Sequence, residues 1–464
     1  MKKILFIFLL LISFISVSIA SQVNFSEESL KIKNDSKSSI EFSVSFEDAK
    51  EIIKKHYPQL LSDEKIMDFI MERDIQRIQV SEGLLLFSDF EQNLFYRDPQ
   101  LVTRTPEWSK KKSGLIVDLL EEYDQKKNIT DGFKSRLTPY FKPREFFVEY
   151  SINTPRNLLP EKGFLKLWIP LPLHIPAQQN ITIVEIEPQK AIVGNPITFG
   201  DIACVLLNFD LADLEEDLNV NIQYAYTRFQ QEFKIDQDRI GPYDQNSSLY
   251  KEYTKSYKNT VYDDRFEKLA KKIIEDETNP YLQAKKIYDY IIKNINYSLM
   301  AHAYLEAEEI PESVFVFEHG FGDCGSQSIF FTALCRSIGI PARTTGGFQL
   351  FMSNLGSHFW AEFYLPNYGW IPVDTSVGQA TNYIPDLTEN QRQAFKEFFF
   401  ARQDPLRLTV QNDIDLFPDE KPEDIQVLSM VLQNPYIDCE FGNELFEISS
   451  EILQRIKTKL RVIK

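Results

Sequence analysis

The stretch FGDCGSQS, at Phe321–Ser328, places one cysteine where it could act as a nucleophile. It is followed by apolar residues with helical spacing, namely Phe331, Leu334, Cys335 and Ile338. Gly339, with Pro341 just beyond it, is typical of a helix end. We therefore predict a helix that begins near Asp323 and carries Cys324 in its first turn. There, unpaired backbone N–H groups and the positive end of the helix dipole favour a thiolate.

Most buried thiols are packing residues, so the neighbours of Cys324 must decide whether it reacts. Gly322 and Gly325 leave its sulfur approachable, whereas Cys335 lies on the apolar face of the predicted helix and is interpreted as a core residue. Asp323 is interpreted as the N-cap of the helix rather than as a catalytic acid. A reactive Cys324 then requires a base from elsewhere in the chain.

Among the five histidines of the chain, His358 is the one that opens a hairpin pattern. The stretch HFWAEFYLPNYGWIPVDTS is typical of a strand, a tight turn and a second strand. If Tyr364 pairs with Tyr368, His358 faces Asp374 on one face of the sheet. A shift of two residues would keep the two side chains diagonal and within reach. A one-residue bulge at Gly369 would instead place them on opposite faces.

In the predicted register, Asp374 could hold the His358 imidazole in one tautomer and stabilise its protonated form. Cys324, His358 and Asp374 would then be nucleophile, base and orienting carboxylate, which suits acyl transfer at amides. The backbone N–H of Cys324 is a natural oxyanion donor, and Tyr297 is the candidate for a second one. Two simpler alternatives stay open: a structural His358 in an aromatic strand, and an Asp374 that only caps a turn.

The other histidines suggest no metal site. His302 and His319 lack a carboxylate or cysteine at metal-ligand spacing and are interpreted as loop residues, and His56 and His174 lie in other segments. The chain contains no DxDxDG-type calcium loop. We therefore predict neither a metal nor an organic cofactor.

Changes in hydrophobic period divide the chain into successive segments. We expect a signal peptide over 1–20, a mixed α/β N-terminal region without an assigned role over 21–140, a β-sandwich over 141–235, a polar linker over 236–260, a catalytic domain over 261–440 and a C-terminal helix over 441–464. In the sandwich, LNVNIQYAY and FLKLWIPLPL alternate as half-buried strands do. Pro170 and Pro172 predict that the second of these is an edge strand or is bulged.

The first residues, MKKILFIFLLLISFISVSIASQ, combine two lysines, a short apolar run and small residues before a cleavage point. They predict a cleaved signal, with an uncleaved anchor as the alternative, and hence a secreted or periplasmic protein without stable membrane insertion. The formal net charge of −17 argues against nucleic acid as a partner. Four cysteines are too few for a disulfide scaffold, and a Cys204–Cys439 bridge stays open.

The segment Phe317–Ser376 resembles the core of the transglutaminase-like superfamily, which includes transglutaminases, peptide N-glycanases and bacterial papain-like proteins. GDCGSQSIFFTALCRSIGIPAR is similar to its nucleophile helix, SHFWAEFYLP to its histidine strand and GWIPVDTS to its aspartate strand. The resemblance implies Cys324 as nucleophile, His358 as base and Asp374 as orienting group. FFFARQDPLRL, at Phe398–Leu408, resembles a C-terminal extension of bacterial members, and the β-rich segment before the core resembles an accessory domain.

The expected fold class is α+β: a papain-like transglutaminase core, with a helix-start cysteine packed on an antiparallel sheet, preceded by a β-sandwich and a mixed N-terminal region. The resemblance implies Gln-to-Lys crosslinking, amide or peptide hydrolysis, deamidation, or no catalysis. Our first hypothesis is an exported cysteine enzyme that acts on a protein or peptide substrate through a Cys324 thioester. The alternative is a catalytically silent binding or assembly module of the cell envelope.

Overall fold

The structure is a computed structural model that describes residues 41–98 (except 82), 101, 113–121 (except 115 and 118), 138–415 (except 352, 353 and 385), 433–439, 448 and 451–463. The signal peptide predicted over 1–20 lies outside the described residues. Among the residues that are described, no helix is both long and apolar enough to cross a membrane.

The α-helices whose bounds the structure gives are all shorter than a membrane span. They are α1 (Phe46–His56), α2 (Asp63–Glu72), α3 (Phe90–Arg97), α4 (Ser248–Tyr253), α5 (Asp264–Ile274), α6 (Pro280–Asn294), α7 (His302–Ala307), α8 (Glu312–His319), α9 (Cys324–Ser337), α10 (Thr375–Gln379) and α11 (Glu389–Phe398).

The strands occur mostly in runs between these helices. They are β1 (Phe42–Ser45), β2 (Arg77–Val80), β3 (Gly83–Phe87), β4 (Tyr140–Thr154), β5 (Phe164–Pro170), β6 (Gln178–Glu187), β7 (Ile192–Ile197), β8 (Cys204–Asp210), β9 (Leu218–Glu232), β10 (Asn296–Tyr297), β11 (Phe321–Gly322), β12 (Ala342–Phe351), β13 (Asn354–Leu365), β14 (Gly369–Val373), β15 (Arg402–Gln403), β16 (Arg407–Gln411), β17 (Tyr436–Cys439) and β18 (Ile456–Val462).

The chain divides into two compact units, and each is assembled from three chain segments. The first unit comprises Met1–Ser135, Thr254–Ile340 and Asp374–Phe400, and the second comprises Arg136–Tyr253, Pro341–Val373 and Ala401–Lys464. The expected fold class, α+β with several antiparallel sheets, is confirmed. The boundaries of the successive sequence segments stay predictions, because neither unit is continuous in sequence.

In the first unit, the described residues 41–98, called here the N-terminal region, form a small sheet in the order β1-β3-β2 with α1, α2 and α3. Ser62 caps α2 by accepting a hydrogen bond from the Lys65 backbone N–H. Ile53, Ile70 and Leu86 lie in its apolar core. The core of the region is thus built from both helices and strands.

The helix α9 is central to the rest of the first unit, where it contacts α5, α6, α8 and α10. Its residues from Cys324 to Arg336 are all buried, so the helix has no solvent-facing stripe of the kind that surface helices show. Two of the helices around it, α5 and α6, start where Asp263 and Asn279 act as N-caps.

The described residues of the second unit form three antiparallel sheets. One has the order β15-β9-β4-β18, with β6 also paired to β9; the others are β17-β5-β8-β7 and β14-β13-β12-β16. In β9 the predicted inward set of Val220, Ile222, Tyr224 and Tyr226 is buried. The period of two therefore identified the strands of the predicted sandwich correctly.

The position predicted for β5 is wrong. It is an inner strand, since β8 pairs along its whole length and β17 pairs on its other side from Leu165 to Trp168. Pro170 is the last residue of β5. It is tolerated because the pairing with β17 stops at Trp168 and does not extend to Pro170.

The C-terminal helix predicted over 441–464 is wrong for its last part, which is the strand β18. Exposed Lys457, Lys459 and Arg461 alternate there with less exposed residues, which is a strand period rather than a helix period. Arg461 forms an ion pair with Glu149 of β4, the strand with which β18 pairs.

No disulfide forms among the four cysteines, all of which are buried. Cys439 pairs with Leu165 of β5, whereas Cys204 pairs with Pro170 near the other end of that strand. The bridge left open by the sequence is therefore excluded by strand register.

Candidate active site

In the first unit, Cys324 is the first residue of α9, as predicted. Asp323 is the N-cap: its Oδ1 atom accepts a hydrogen bond of 2.9 Å from the backbone N–H of Ser326. The sulfur therefore lies at the positive end of the helix dipole, although only 8% of the residue is exposed. The helix ends as predicted, with Gly339 in the left-handed region at φ 81°.

The chain just before the nucleophile is held by a short parallel pairing. Strand β11 pairs with β10, with Tyr297 beside Gly322. A Cβ atom on Gly322 would lie 2.7 Å from the Ser326 Cβ atom. Gly322 is thus required by this close approach, and not only for access to the sulfur. The Tyr297 side chain is buried, and its ring packs edge-on against Tyr96, with centroids 5.0 Å apart.

His302 lies between two carboxylates beside the start of α9. Its Nδ1 atom is 2.6 Å from Glu312 Oε1, and its Nε2 atom is 2.8 Å from Asp323 Oδ2. The second oxygen of Glu312 accepts a 2.6 Å hydrogen bond from the Ser326 hydroxyl. The interpretation of His302 and His319 as loop residues is wrong, because His302 begins α7 and His319 ends α8.

These contacts shift the pKa values of His302 and Asp323. Burial alone would lower the pKa of His302, but the charges of Glu312 and Asp323 and the hydrogen bonds to them raise it well above its usual value. Burial would likewise raise the pKa of Asp323, yet the charge and hydrogen bond of His302 and the backbone N–H groups of α9 lower it. His302 is therefore an imidazolium and Asp323 a carboxylate near neutral pH.

The N-terminal region holds the loop that follows β10. Asn93 makes two hydrogen bonds to the backbone of Leu299, one to its N–H at 2.8 Å and one to its carbonyl at 3.1 Å. Gln76 also donates to the Leu299 carbonyl, at 2.6 Å, and accepts from the Ala301 N–H at 3.2 Å. The Arg97 guanidinium donates to the Ser298 hydroxyl at 3.1 Å. The loop that leads into His302 is thus fixed by side chains of the N-terminal region.

Asp374, the predicted orienting carboxylate, also belongs to the first unit, where it is the N-cap of α10. Its Oδ1 atom accepts a 3.1 Å hydrogen bond from the Val377 N–H, and its own backbone N–H donates to the Phe399 carbonyl. Asp374 is almost fully buried. Its negative charge acts on the Tyr288 hydroxyl. Burial first, and the Asp374 charge second, raise the pKa of Tyr288 well above its usual value.

His358, the predicted base, belongs to the second unit, where it lies in β13 opposite Gly347 of β12. The Gln433 Nε2 atom donates to the carbonyls of both residues, at 2.7 Å to Gly347 and 2.8 Å to His358. The His358 ring is buried, with its centroid 6.1 Å from that of Trp360. The backbone at His358 is therefore held from two sides.

The predicted hairpin is present, but its register differs by two residues. The prediction paired Tyr364 with Tyr368. In the structure Leu365 instead pairs with Gly369, and Ala361 lies opposite Val373. The chain turns through Pro366, Asn367 and Tyr368, and Asn367 adopts a left-handed φ of 71°. This is the even shift that leaves the alternation of faces as predicted, and the one-residue bulge is excluded.

Several residues that contact the predicted site residues within each unit could not be predicted from sequence patterns. His302 lies ten residues from Glu312 and twenty-one from Asp323, and Gln433 lies seventy-five from His358, so no local spacing connects them. Their only sequence signal is their polarity inside otherwise apolar stretches. Within the described residues, no group of three or more His, Cys, Asp or Glu side chains is arranged to hold a metal ion.

The matched family is the transglutaminase-like superfamily, whose model covers residues 267–375 and thus includes Cys324, His358 and Asp374. An uncharacterised protein of Haemophilus influenzae is 26% identical over 306 residues, which are 59% of this chain and 80% of that protein. The uncharacterised protein YebA of Bacillus subtilis is 28% identical over 130 residues. That alignment covers 25% of this chain and 18% of YebA.

Two solved structures are also similar. A candidate cysteine protease of Cytophaga hutchinsonii has a TM-score of 0.41 at 15% identity, over 70% of this chain and 93% of that one. The periplasmic domain of TgpA from Pseudomonas aeruginosa has a TM-score of 0.28 at 13% identity, over 57% of this chain and 99% of that one. Both scores are low, so neither likeness carries an argument about this chain.

Proposed function

Because residues 267–375 belong to the transglutaminase-like superfamily, we propose that this protein is a cysteine enzyme that acts on amide or peptide carbonyls through a Cys324 thioester. The observation that carries the proposal is the position of Cys324 as the first residue of α9, where a thiolate is favoured. A packing cysteine has no need of that position, and Cys335, deeper in the same helix, shows the contrast.

In the proposed reaction, the Cys324 thiolate attacks the carbonyl carbon and the carbonyl oxygen takes up the negative charge. When the C–N bond breaks, protonated His358 gives its proton to the departing amine, and a thioester to Cys324 remains. Water or a second amine then attacks the thioester, His358 accepts the proton of this nucleophile, and the thiolate leaves. Every proton is returned, so no cofactor is needed.

The assignment of His358 as base and Asp374 as orienting group is part of the proposal. It is supported by the family match, which spans both residues, and by the hairpin. Asp374 directly follows Val373, which lies opposite Ala361 in β13, three residues after His358. Capping α10 occupies one oxygen of Asp374 and does not prevent the other from orienting an imidazole.

For the oxyanion, we propose the backbone N–H of Cys324 as first donor and Tyr297 as second. The pairing of Tyr297 with Gly322 supports this, since it brings β10 beside the chain that leads into the nucleophile. The substrate class that suits such a site is a protein or peptide carrying a Gln, Asn or backbone amide. Export by the predicted signal peptide is also part of the proposal.

The test is the pH dependence of iodoacetamide labelling, mapped by mass spectrometry in the wild-type protein and in His358→Ala. We expect Cys324 to be labelled well below an ordinary thiol pKa of about 8.5 in the wild type. In the variant, labelling should need a higher pH because the imidazolium is lost. Cys335 is an internal control: burial raises the pKa of its thiol well above the usual value, so it should stay unlabelled.

Two results would contradict the proposal. Ordinary or absent labelling of Cys324 in the wild type would make it a packing residue and favour the binding or assembly module. Early labelling that is unchanged in His358→Ala would keep the nucleophile but remove His358 from it. Thioester formation at a glutamine side chain releases ammonia in both reactions. Ammonia release from a glutamine-rich protein without incorporation of an added primary amine then indicates hydrolysis, and incorporation of the amine indicates crosslinking.

A further inference from the structure

We infer that His302 is a positioning residue for the nucleophile, because it ties the N-cap of α9 to a second carboxylate and supplies a positive charge beside Cys324. This inference rests on the proposed function, since it concerns the same thiol. It assigns a role to a residue that does not belong to the proposed triad.

The first argument is a closed ring of four residues, linked by their side chains and by the Ser326 backbone N–H. Asp323 accepts from the Ser326 N–H with one oxygen and faces His302 Nε2 with the other. Glu312 faces His302 Nδ1 with one oxygen and accepts from the Ser326 hydroxyl with the other. Each of the four carboxylate oxygens therefore has a partner within the ring. Two members, Asp323 and Ser326, flank Cys324 in sequence, so the ring fixes the first turn of α9.

The second argument is the protonation state that this geometry requires. A neutral imidazole has one N–H donor and one acceptor nitrogen. Both nitrogens of His302 lie within 2.8 Å of a carboxylate oxygen, so both must donate. His302 is then a cation between two anions, as its strongly raised pKa also indicates. A charge-assisted bond on each side makes this arrangement stronger than neutral hydrogen bonds would be.

The third argument is electrostatic. A carboxylate next to a thiol disfavours the thiolate, and Asp323 is the residue directly before Cys324. The imidazolium offsets one of the two negative charges of Glu312 and Asp323. Without His302, two unbalanced carboxylates would remain at a helix start that must carry a third negative charge on sulfur. His302 thus allows the acidic N-cap Asp323 to lie next to Cys324, whose thiol has to ionise.

The N-terminal region extends this arrangement. The carboxylate of Glu41 accepts the Ala303 and Tyr304 N–H groups, at 3.0 and 2.8 Å, and so caps the helix that His302 begins. Burial raises the pKa of Glu41, and the nearby His302 charge opposes this rise. The charged groups around His302 are accordingly Glu41, Glu312 and Asp323.

The experiment measures the apparent pKa of Cys324 alkylation in four forms of the full chain: wild type, His302→Gln, Asp323→Asn and the double variant. His302→Gln removes a positive charge and should raise this pKa by about one unit or more. Asp323→Asn keeps a good N-cap and should give a value at or below that of the wild type. The double variant restores the original charge balance and should return towards the wild-type value.

The matched control is His319→Gln. His319 also pairs with a carboxylate, with Nδ1 2.9 Å from Asp74 Oδ2, but that carboxylate belongs to the N-terminal region and is not the N-cap of α9. Its replacement should leave the alkylation pKa of Cys324 unchanged. A purely structural His302 would lower the melting temperature in its variant, and the second substitution would not reverse that loss.

The inference is overturned if folded His302→Gln alkylates with the wild-type pKa, or if the double variant is worse than either single one. If His302→Gln does not fold, Asp323→Asn still decides, since a raised pKa there would contradict the charge argument. Failure of the proposed function is a separate result: an ordinary alkylation pKa in the wild type itself. The shift between variants can be measured in either case.

Discussion

The substitution Gly347→Ala probes the sheet that carries the proposed base. Gly347 lies opposite His358 in one neighbouring strand and opposite Thr409 of β16 in the other. A Cβ atom at this position would lie 2.0 Å from the Leu408 carbonyl oxygen. The Leu408 carbonyl oxygen belongs to the backbone, and the new Cβ atom is bonded directly to the backbone, so no side-chain rotation relieves the contact.

The magnitude follows from that distance. Ordinary contact of a Cβ atom begins at 3.4 Å, so β12 and β16 must separate locally by about 1.4 Å. Such a gap breaks about two ladder hydrogen bonds, each with a net value of about 1 kcal/mol. The strain of overpacking adds about 1–3 kcal/mol. We therefore expect the free energy of unfolding of the second unit to fall by roughly 3–5 kcal/mol, which for a unit of about 200 residues lowers its melting temperature by roughly 6–20 °C.

The assay is differential scanning calorimetry, combined with hydrogen exchange to identify the transition of β12 and β13. The alkylation of Cys324 should also lose its low-pH component if His358 is the base. Gly114→Ala is the control, because a Cβ atom there has nothing within 4 Å. A transition of Gly347→Ala within about one degree of the wild type would refute the reasoning, since the strands would then have accommodated the methyl group without cost.

Three further predictions concern buried polar contacts. Arg343→Met removes the partner of buried Glu362, whose Oε2 atom is 2.6 Å away, and should cost about 3–5 kcal/mol; a compensating Glu362→Leu should recover most of it, as urea titration would reveal. Asn93→Ala removes the hydrogen bonds of Asn93 to the Leu299 N–H and carbonyl and should lower the free energy of unfolding by about 1–3 kcal/mol. An unchanged midpoint in urea titration would mean that the N-terminal region does not hold the loop after β10. The raised pKa of His302 contributes stability that is complete below its usual pKa of 6.5 and is lost as the pH rises through its folded-state pKa. The lowered pKa of Asp323 contributes stability that is present above its usual pKa of 3.8 and is lost as the pH falls through its folded-state pKa. Melting temperatures should therefore decline on both sides of this pH window, and His302→Gln should abolish the alkaline decline.

The parts of the fold that were predicted correctly depend on local sequence. The start of α9 at Cys324 follows from an apolar period, a capping aspartate and a terminating glycine, which all lie within one element. The strands of the second unit follow from the period of two for the same reason. The hairpin was predicted in type but not in register, because the turn residue Asn367 takes a left-handed conformation that sequence period does not specify.

The parts that were predicted wrongly depend on partners far along the chain. Strand β5 has a proline typical of an edge, yet residues near 436 supply its second neighbour. The ring around His302 joins residues from three separate elements, so His302 in isolation was interpreted as a loop residue and Asp323 only as a cap. Long-range pairing decides such cases, and no window of ten residues contains it.

The pairing of β18 with β4 has a consequence for the order of folding. Ser151 and Lys457, which share a hydrogen bond across this pair, are 306 positions apart. During synthesis β4 is therefore complete long before its outer neighbour exists, and until then one edge of a long strand remains open. Premature edge-to-edge association is the hazard of this interval, and the charged Lys457, Lys459 and Arg461 close the edge only when the final strand arrives.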